Sequence, residues 1–382
     1  MAEANSGQDL AKTMKALVLK TTSEPPTIQT VETPQPTLGS AVVRVLQIKV
    51  ISYTREVMNG KRNYQFPMPL IPGFSAIGRV AAVGADATMV KPGDLVYVDC
   101  TTRSRDNPSD VFLAGVADGY TAGSKRLMKD VWRNWTYAEY CRAPLENLAV
   151  LDERRLLGRP GEGGLGYSID DLSFISTLLV PYGGLRDIEL QAGQTIIVAP
   201  ATGPFGGAAV LVALAMGARV IAMGRNASSL AKLKATVPTP GLVETVQITG
   251  DIKAETEALA KFGQADSFFD IGPPEAYQSS HLKSAILSLR HGARISLMGG
   301  YREDVAIPHV VIMHKNMQLR GKWMYERSDI ADLIKLVEHG ILKVGEAAGS
   351  HTYGHFSLEQ YKEAWDLAAE HTGLGDQILV QP

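Results

Sequence analysis

The chain has little cysteine: Cys100 and Cys141 are the only two in 382 residues. Two thiols make neither a disulfide framework nor a four-cysteine zinc lobe, so a reduced, cytoplasmic setting is expected. Net charge is equally scant, 38 Lys and Arg against 40 Asp and Glu. A chain this near neutrality has no electrostatic claim on nucleic acid or on an anionic membrane, and neither partner is expected. Long apolar runs are also missing. The longest, Ala208 to Ala218, stops at Arg219, well short of the ~20 residues a membrane helix needs. The first residues, MAEANSGQDLAKT, are polar and lack the apolar centre of a secretory signal, so residues 1–13 are expected to be a loose tail. The rest has the composition of a soluble globular protein, 45% apolar and 20% charged. Its length calls for two domains rather than one core.

The stretch around which the chain is organised runs from Thr195 to Asn226. Thr195 to Ala199 is a short run rich in β-branched residues, the pattern of a buried parallel strand. Glycines then crowd a turn, a small-residue helix is predicted over about Phe205 to Gly217, and a second buried strand spans Arg219 to Met223. Strand, glycine turn, helix and strand within about thirty residues is the βαβ unit that cradles a dinucleotide. The turn reads Ala201-Thr202-Gly203-Pro204-Phe205-Gly206, so alanine replaces the first glycine of the usual fingerprint. Gly203 would admit a pyrophosphate close to the backbone, and Gly206 would let the helix pack tightly on its strand. Free amides and the helix dipole would hold the anion. Pro204 has no amide to offer but suits the first helical position.

The end of the second strand bears on which dinucleotide binds. Sites for NAD place Asp or Glu there to bond the ribose 2′-hydroxyl. This chain has Gly224-Arg225-Asn226, and a guanidinium matches a 2′-phosphate where a carboxylate would repel it. The alternative is a solvated arginine at a strand end. NADPH is therefore the expected cofactor. Two later strands, Asp266 to Asp270 and Arg294 to Met298, end in the turns Gly272-Pro273-Pro274 and Gly299-Gly300. Turns after the carboxyl ends of parallel strands are where ligands bind in such sheets, which adds Gly272, Met298 and Gly299 to the expected cofactor contacts.

Before this unit, Lys15 to Leu19, Ala41 to Val50, Gly73 to Gly84, Leu95 to Val98 and Trp135 to Tyr140 have strand character and are separated by Gly and Pro turns. That rhythm predicts a mostly β domain. Thr101 to Arg133 breaks it with a long, polar, mixed-charge insertion, either a lid over a cleft or a variable loop. The glycine-rich Gly158 to Tyr167 reads as the crossing between domains. Ser168 and Asp171 form a capping pair for a helix that would bury Phe174, Ile175, Leu178 and Leu179. Later helices are expected around Ser228 to Lys234, Ile330 to His339 and Leu358 to Glu370, with a weakly defined stretch to Gly263 and a last strand over Gln377 to Val380. His309 and His314 follow strand-like runs.

In this order, Pro72-Gly73-Phe74-Ser75-Ala76-Ile77-Gly78-Arg79-Val80, Lys91-Pro92-Gly93-Asp94, Tyr137-Ala138-Glu139-Tyr140, the turn at Ala201 to Gly206 and Gly321-Lys322-Trp323-Met324 resemble the medium-chain dehydrogenase/reductase superfamily. That superfamily holds zinc alcohol dehydrogenases and zinc-free quinone and enoyl reductases. The resemblance implies an α/β fold with a doubly wound Rossmann domain (161–318) inserted into a GroES-like β domain (1–160 and 319–382). It also implies dimers paired through an edge strand, here Asn316 to Met324.

At the positions of the zinc ligands, the resemblance places Ile51, Phe74-Ser75 and Ser176. Ile and Phe cannot ligate zinc, and a serine hydroxyl is a poor substitute for thiolate, imidazole or carboxylate. All eight histidines lie from His281 onward. No metal is expected. Tyr53 stands where zinc enzymes carry their proton-relay hydroxyl: it either donates to the substrate oxygen or only walls the pocket. Ile51, Tyr53, Phe74, Trp132 and Tyr182 are the expected pocket residues, with Tyr64, Tyr120 and Trp135 as further aromatic candidates. The implied activity is zinc-independent, NADPH-dependent reduction of a small quinone, enone or reactive carbonyl. The alternatives are a zinc-free carbonyl or alcohol dehydrogenase that tailors natural products, and a non-catalytic NADPH-binding protein.

Overall fold

Branched residues alternating with polar ones build the first part of the chain. The computed structural model describes residues 10–382, so residues 1–9 of the expected tail lie outside the described residues. Thr13–Val18 (β1) and Thr27–Glu32 (β2) form an antiparallel pair. Ser40–Lys49 (β3) leads to a short helix, Thr54–Met58 (α1). Ala76–Val83 (β4) and Leu95–Val98 (β5) follow. Then come Thr101–Arg103 (β6), Val111–Leu113 (β7) and the helix Ala122–Asp130 (α2). Tyr140–Pro144 (β8), Leu148–Val150 (β9), Glu153–Leu157 (α3) and Ile169–Leu172 (α4) complete this stretch.

The expected insertion over Thr101 to Arg133 is folded rather than loose. β6 and β7 pair as a hairpin, and α2 is opened by a reciprocal cap between Thr121 and Ser124. Phe112, Ala114 and Met128 have no exposed surface and join the core of the β unit. Neither a lid nor a variable loop describes that centre. Trp135 to Glu139, expected as strand, is buried but irregular. Its amides reach separate partners instead of one neighbouring strand: Trp135 N donates to Ile71 O at 2.9 Å and Tyr137 N to Pro72 O at 3.0 Å, both in a loop, while Glu139 N donates to Lys15 O of β1 at 3.1 Å.

Ile175–Asp187 (α5) leads into the second unit, whose strands are Thr195–Ala199 (β10), Arg219–Gly224 (β11), Val243–Gln247 (β12), Ala265–Asp270 (β13), Leu289–Leu297 (β14) and Gln318–Gly321 (β15). They form one parallel sheet in the order β12-β11-β10-β13-β14-β15. The connecting helices are Pro204–Ala215 (α6), Ala227–Thr236 (α7), Ile252–Ala260 (α8), His281–Leu287 (α9) and His309–His314 (α10). Ile196, Ile197, Val198, Val220, Ile221, Phe268 and Phe269 are fully buried. Each such side chain contributes ~1.5–3 kcal/mol by leaving water. α6 is apolar all round, and every residue from Gly206 to Ala213 is buried, as a helix packed on a sheet requires. The stretch left undefined before Gly263 holds β12 and α8, and His309 and His314 bound a helix rather than following strands.

Arg327–Glu338 (α11) still belongs to the second unit, before His351–Phe356 (β16), Tyr361–Glu370 (α12) and Asp376–Val380 (β17). The first unit's large sheet runs β16-β17-β3-β4-β5-β9, with β8 also on β3. The described residues therefore divide as 10–176, 352–372 and 377–382 against 177–351 and 373–376. Both expected boundaries, after 160 and after 318, move later. The glycine segment folds back on α3, with Leu165 N on Arg155 O at 2.8 Å and Gly166 N on Gly158 O at 2.9 Å, so it stays with the first unit. Residues 318–338 stay with the second, because β15 pairs with β14 and α11 buries Ile330, Leu333 and Val337.

Candidate functional site

The glycine turn forms as its sequence predicts. β10 ends at Ala199, and the amide of Ala201 bonds Met223 O on β11 at 2.7 Å. Gly203 caps α6 in an extended conformation, and Pro204 takes the first helical position. The amides of a first helical turn have no intrahelical partner and face an incoming anion. The two glycines serve different ends. A Cβ at Gly206 would stand 1.9 Å from Pro200 O, so this residue admits the helix onto its strand. A Cβ at Gly203 would meet nothing within 4 Å, so that side of the turn is open. Thr202, Gly203, Pro204 and Phe205 are half-buried around this opening.

At the end of β11, Gly224 is buried against Thr202 and Leu230. Arg225 is exposed and makes no ion pair among the described residues. Its backbone is fixed by Gln247 Nε2, which donates to Arg225 O at 3.0 Å. Asn226 is a helix cap: its Oδ1 accepts from Ser229 N at 3.0 Å and from Ser228 Oγ at 2.7 Å. That side-chain oxygen is committed to α7, so of the expected cofactor contacts at this strand end Arg225, not Asn226, has the free side chain.

The remaining expected cofactor contacts stand at the ends of β13 and β14. Met298 N donates to Asp270 O at 2.9 Å and Gly300 N to Gly272 O at 3.0 Å. No local pattern announces Tyr301, whose ring fills the space beside Gly272: a Cβ there would lie 2.3 Å from its hydroxyl. Tyr301 reaches back to Asp270 and His281, partners with no local sequence signature.

In the first unit, Tyr53 caps α1 and is half-buried. Its ring packs edge-on against Tyr64, with centroids 6.5 Å apart, and the Arg62 guanidinium lies 3.8 Å over its face. Burial above all, then Tyr64, pushes its phenol well above the ordinary value against the pull of Arg62. It is a neutral donor at physiological pH. Phe74 is buried edge-on to Tyr137, and Ile51 is half-buried two residues before Tyr53. Ile51, Tyr53 and Phe74 join one apolar cluster. Trp132 packs at the edge of that cluster beneath Arg142, at 5.5 Å. Tyr182 lies in the second unit, with Arg186 over its ring at 5.8 Å. Trp135 is a core residue, and Tyr120 is exposed. A cleft of about 590 Å³ opens elsewhere in the first unit, lined by Met14, Val31, Leu70, Arg133, Trp135 and Arg142, and it includes none of Ile51, Tyr53 and Phe74.

Two of the residues at expected zinc positions do come together. Ser75 and Ser176 line one small polar space with Gln47, Lys49, Tyr97 and Ser173. The Lys49 side chain is buried there, its ammonium 4.6 Å from the Phe174 ring centroid. Ser75 Oγ is occupied with Cys100: it donates to Sγ at 3.3 Å and accepts from Cys100 N at 3.1 Å. Burial and Asp99 push the Cys100 thiol up to about 12, away from the thiolate a metal needs. Hydroxyls, an amide and an ammonium do not make a zinc site. Among the described residues, no group of three or more His, Cys, Asp or Glu could hold a metal.

Comparison with known proteins agrees with this architecture. Residues 38–153 match the alcohol dehydrogenase GroES-like domain, and residues 204–339 match the zinc-binding dehydrogenase family. An L-threonine 3-dehydrogenase of Anaeromyxobacter dehalogenans is 23% identical over 370 residues, 93% of this chain and 95% of that protein. An alcohol dehydrogenase of Geobacillus stearothermophilus is 23% identical over 345 residues, 86% of this chain and 90% of that protein. Among solved structures, a short chain alcohol dehydrogenase of E. coli CFT073 in complex with NADH superimposes with a TM-score of 0.75 at 18% identity, covering 97% of this chain and all of that one. The fold, the two matched domains and the order of their motifs identify the chain as a member of the medium-chain dehydrogenase/reductase superfamily.

Proposed function

We propose that this chain is an oxidoreductase that binds a nicotinamide cofactor, prefers NADPH and transfers hydride to an activated small molecule without zinc. The observation that carries the reading is the open turn at Gly203 in front of α6, followed at the end of β11 by the exposed, unpaired Arg225. The turn suits a pyrophosphate. The arginine suits a 2′-phosphate, with no carboxylate beside it to repel one.

When bound, the nicotinamide supplies the hydride. The chain supplies the rest from its own residues. With no Lewis acid in prospect, the oxyanion that forms as hydride arrives must be met by hydrogen-bond donors. Tyr53 is the proposed donor: its phenol is protonated at neutral pH, and it sits beside Ile51 in the cluster that holds Phe74. The apolar side chains of Ile51 and Phe74 would exclude water around it.

Quinones, enones and reactive carbonyls are the proposed substrates. The named relatives are alcohol and threonine dehydrogenases, whose chemistry interconverts an alcohol and a carbonyl, and this favours a C=O group within that set. The edge strand β15 is the proposed dimer contact. No helix among the described residues is long and apolar enough to cross a membrane. The test is turnover: purified protein should oxidise NADPH with a carbonyl, enone or quinone, and do so faster than NADH. Binding without turnover across all three classes would instead support a non-catalytic role.

A further inference from the structure

At the carboxyl ends of β13 and β14, a buried carboxylate gathers side chains from distant parts of the second unit. Asp270, the last residue of β13, has no exposed surface. Its Oδ1 accepts from the Tyr301 hydroxyl at 2.5 Å. His281 Nε2 lies 3.1 Å from that same oxygen and 3.1 Å from the Tyr301 hydroxyl, while its Nδ1 is 2.7 Å from Ser279 Oγ. The second oxygen, Oδ2, is buried with no hydrogen-bond partner among the described residues. Leaving such an atom unpaired is costly, and a group this costly is retained for a reason.

Tyr301 also explains two glycines. A Cβ at Gly272 would lie 2.3 Å from the Tyr301 hydroxyl and 2.5 Å from its Cε1. One at Gly299 would lie 2.5 Å from Asp270 Oδ2 and 3.0 Å from Tyr301 Cε2. The missing side chains make room for this phenol and this carboxylate. Past the strands, Met298 N on Asp270 O, Gly300 N on Gly272 O and Arg302 N on Pro274 O, at 2.9, 3.0 and 3.1 Å, continue the pairing. Segment 298–302 is thus zipped along 270–274, and one phenol is pinned across the seam. In open parallel sheets the ligand crevice lies just outside these strand ends.

We infer that Tyr301 is a positioning residue for the nicotinamide half of the cofactor, holding the 270–274 and 298–302 turns through Asp270 and His281 in the form that receives the ring. The inference rests on the nicotinamide reading above. It assigns the two halves of the dinucleotide to different elements: the adenosine and phosphates to the β10–α6–β11 turn, the nicotinamide to the pinned seam.

Two ligands separate these halves. NADPH carries both, and 2′-phospho-ADP-ribose is the same molecule without nicotinamide. Calorimetric titration of each into the wild-type chain and into Tyr301→Phe, which keeps the ring but loses the bond to Asp270, gives the decisive comparison. NADPH should bind the variant about tenfold more weakly, because turns released from Asp270 must be ordered again as the ring enters. The fragment should bind both proteins equally. Tyr301→Ala, which also uncovers Gly272 and Gly299, should widen the NADPH loss and still spare the fragment. Equal losses for both ligands would mean general damage to the unit and overturn the assignment, as would unchanged NADPH binding in Tyr301→Phe. If the wild-type chain binds neither ligand, the cofactor reading itself fails and the assignment falls with it.

Discussion

Gly206 stands so close to Pro200 that a Cβ on the glycine would lie 1.9 Å from the proline carbonyl oxygen, while the neighbouring Gly203 would carry a Cβ into empty space. The two positions therefore predict opposite responses to alanine. Gly206→Ala must push α6 off β10, and overpacking of this kind costs about 1–3 kcal/mol. Both the melting temperature and cofactor affinity should fall. Gly203→Ala, at φ −84°, carries no strain and should change stability by no more than ~0.5 kcal/mol. Its methyl would enter the space kept for the pyrophosphate, so cofactor affinity alone should fall. Thermal melts beside cofactor titrations check both.

Arg225 is proposed to set the choice of dinucleotide. Arg225→Gln removes the cation facing a 2′-phosphate. A hydrogen bond to a charged group is worth ~1.5–3 kcal/mol, so the affinity for NADPH should drop by about 10- to 100-fold. The affinity for NADH should not change. Equal effects on the two cofactors would place the arginine outside the site.

Tyr53 is expected to act through its hydroxyl. Tyr53→Phe keeps the ring between Arg62 and Tyr64 and should lower kcat by ~10²-fold, the lower range for a placed proton donor. The dissociation constant of the cofactor should stay the same. Because burial holds the phenol above its ordinary value of 10.0, its titration should leave no limb in the rate profile at neutral pH. An unchanged kcat would reduce Tyr53 to a wall of the pocket.

Alkaline stability follows from buried thiols. Burial, aided at Cys100 by Asp99, pushes Cys100 and Cys141 from 9.0 up to about 12. Between these values the unfolded chain has lost protons that the native chain still binds, so stability falls as pH rises from 9 towards 12 and is unaffected by these groups below 9. Half-buried Tyr53 and buried Tyr137, both raised chiefly by loss of solvent, act in the same direction above pH 10. Urea midpoints measured across that range should show the decline, and Cys141→Val should make it shallower. Neither thiol should react with alkylating reagents in the native state at neutral pH.

What the sequence made legible was what is periodic and local. The branched run at Thr195 to Ala199, the small-residue helix after it and the cap at Ser168 and Asp171 each carry their signal within a few residues, and each is present. The fold of 101–133 was not legible because its buried residues are flanked by long polar stretches: Phe112, Ala114 and Val116 alternate within the short apolar run Val111 to Ala117, but charged and polar residues on both sides, and the isolated Met128, gave the segment the look of an insertion. β12 was missed for a similar reason: Val243-Glu-Thr-Val-Gln is an edge strand, half polar. The boundary at 318 failed because β15 is held by its register against β14, Arg294 opposite Gln318, a long-range pairing that no local pattern announces. Tyr301 and Asp270, 31 residues apart, meet only in three dimensions.

The departures from a zinc site were the most informative part of the sequence, and the structure gives them a physical setting. Ser75 is engaged with Cys100, and Lys49 brings an ammonium into the space that Ser75 and Ser176 share. The most direct test of a zinc-free nicotinamide oxidoreductase is the rate of NADPH oxidation with an accepted carbonyl, enone or quinone, measured before and after exhaustive chelation, with the zinc content of the same sample determined. A zinc-free enzyme should show a rate unchanged by chelation and zinc far below one atom per chain. A rate that collapses on chelation and returns with added zinc would contradict it.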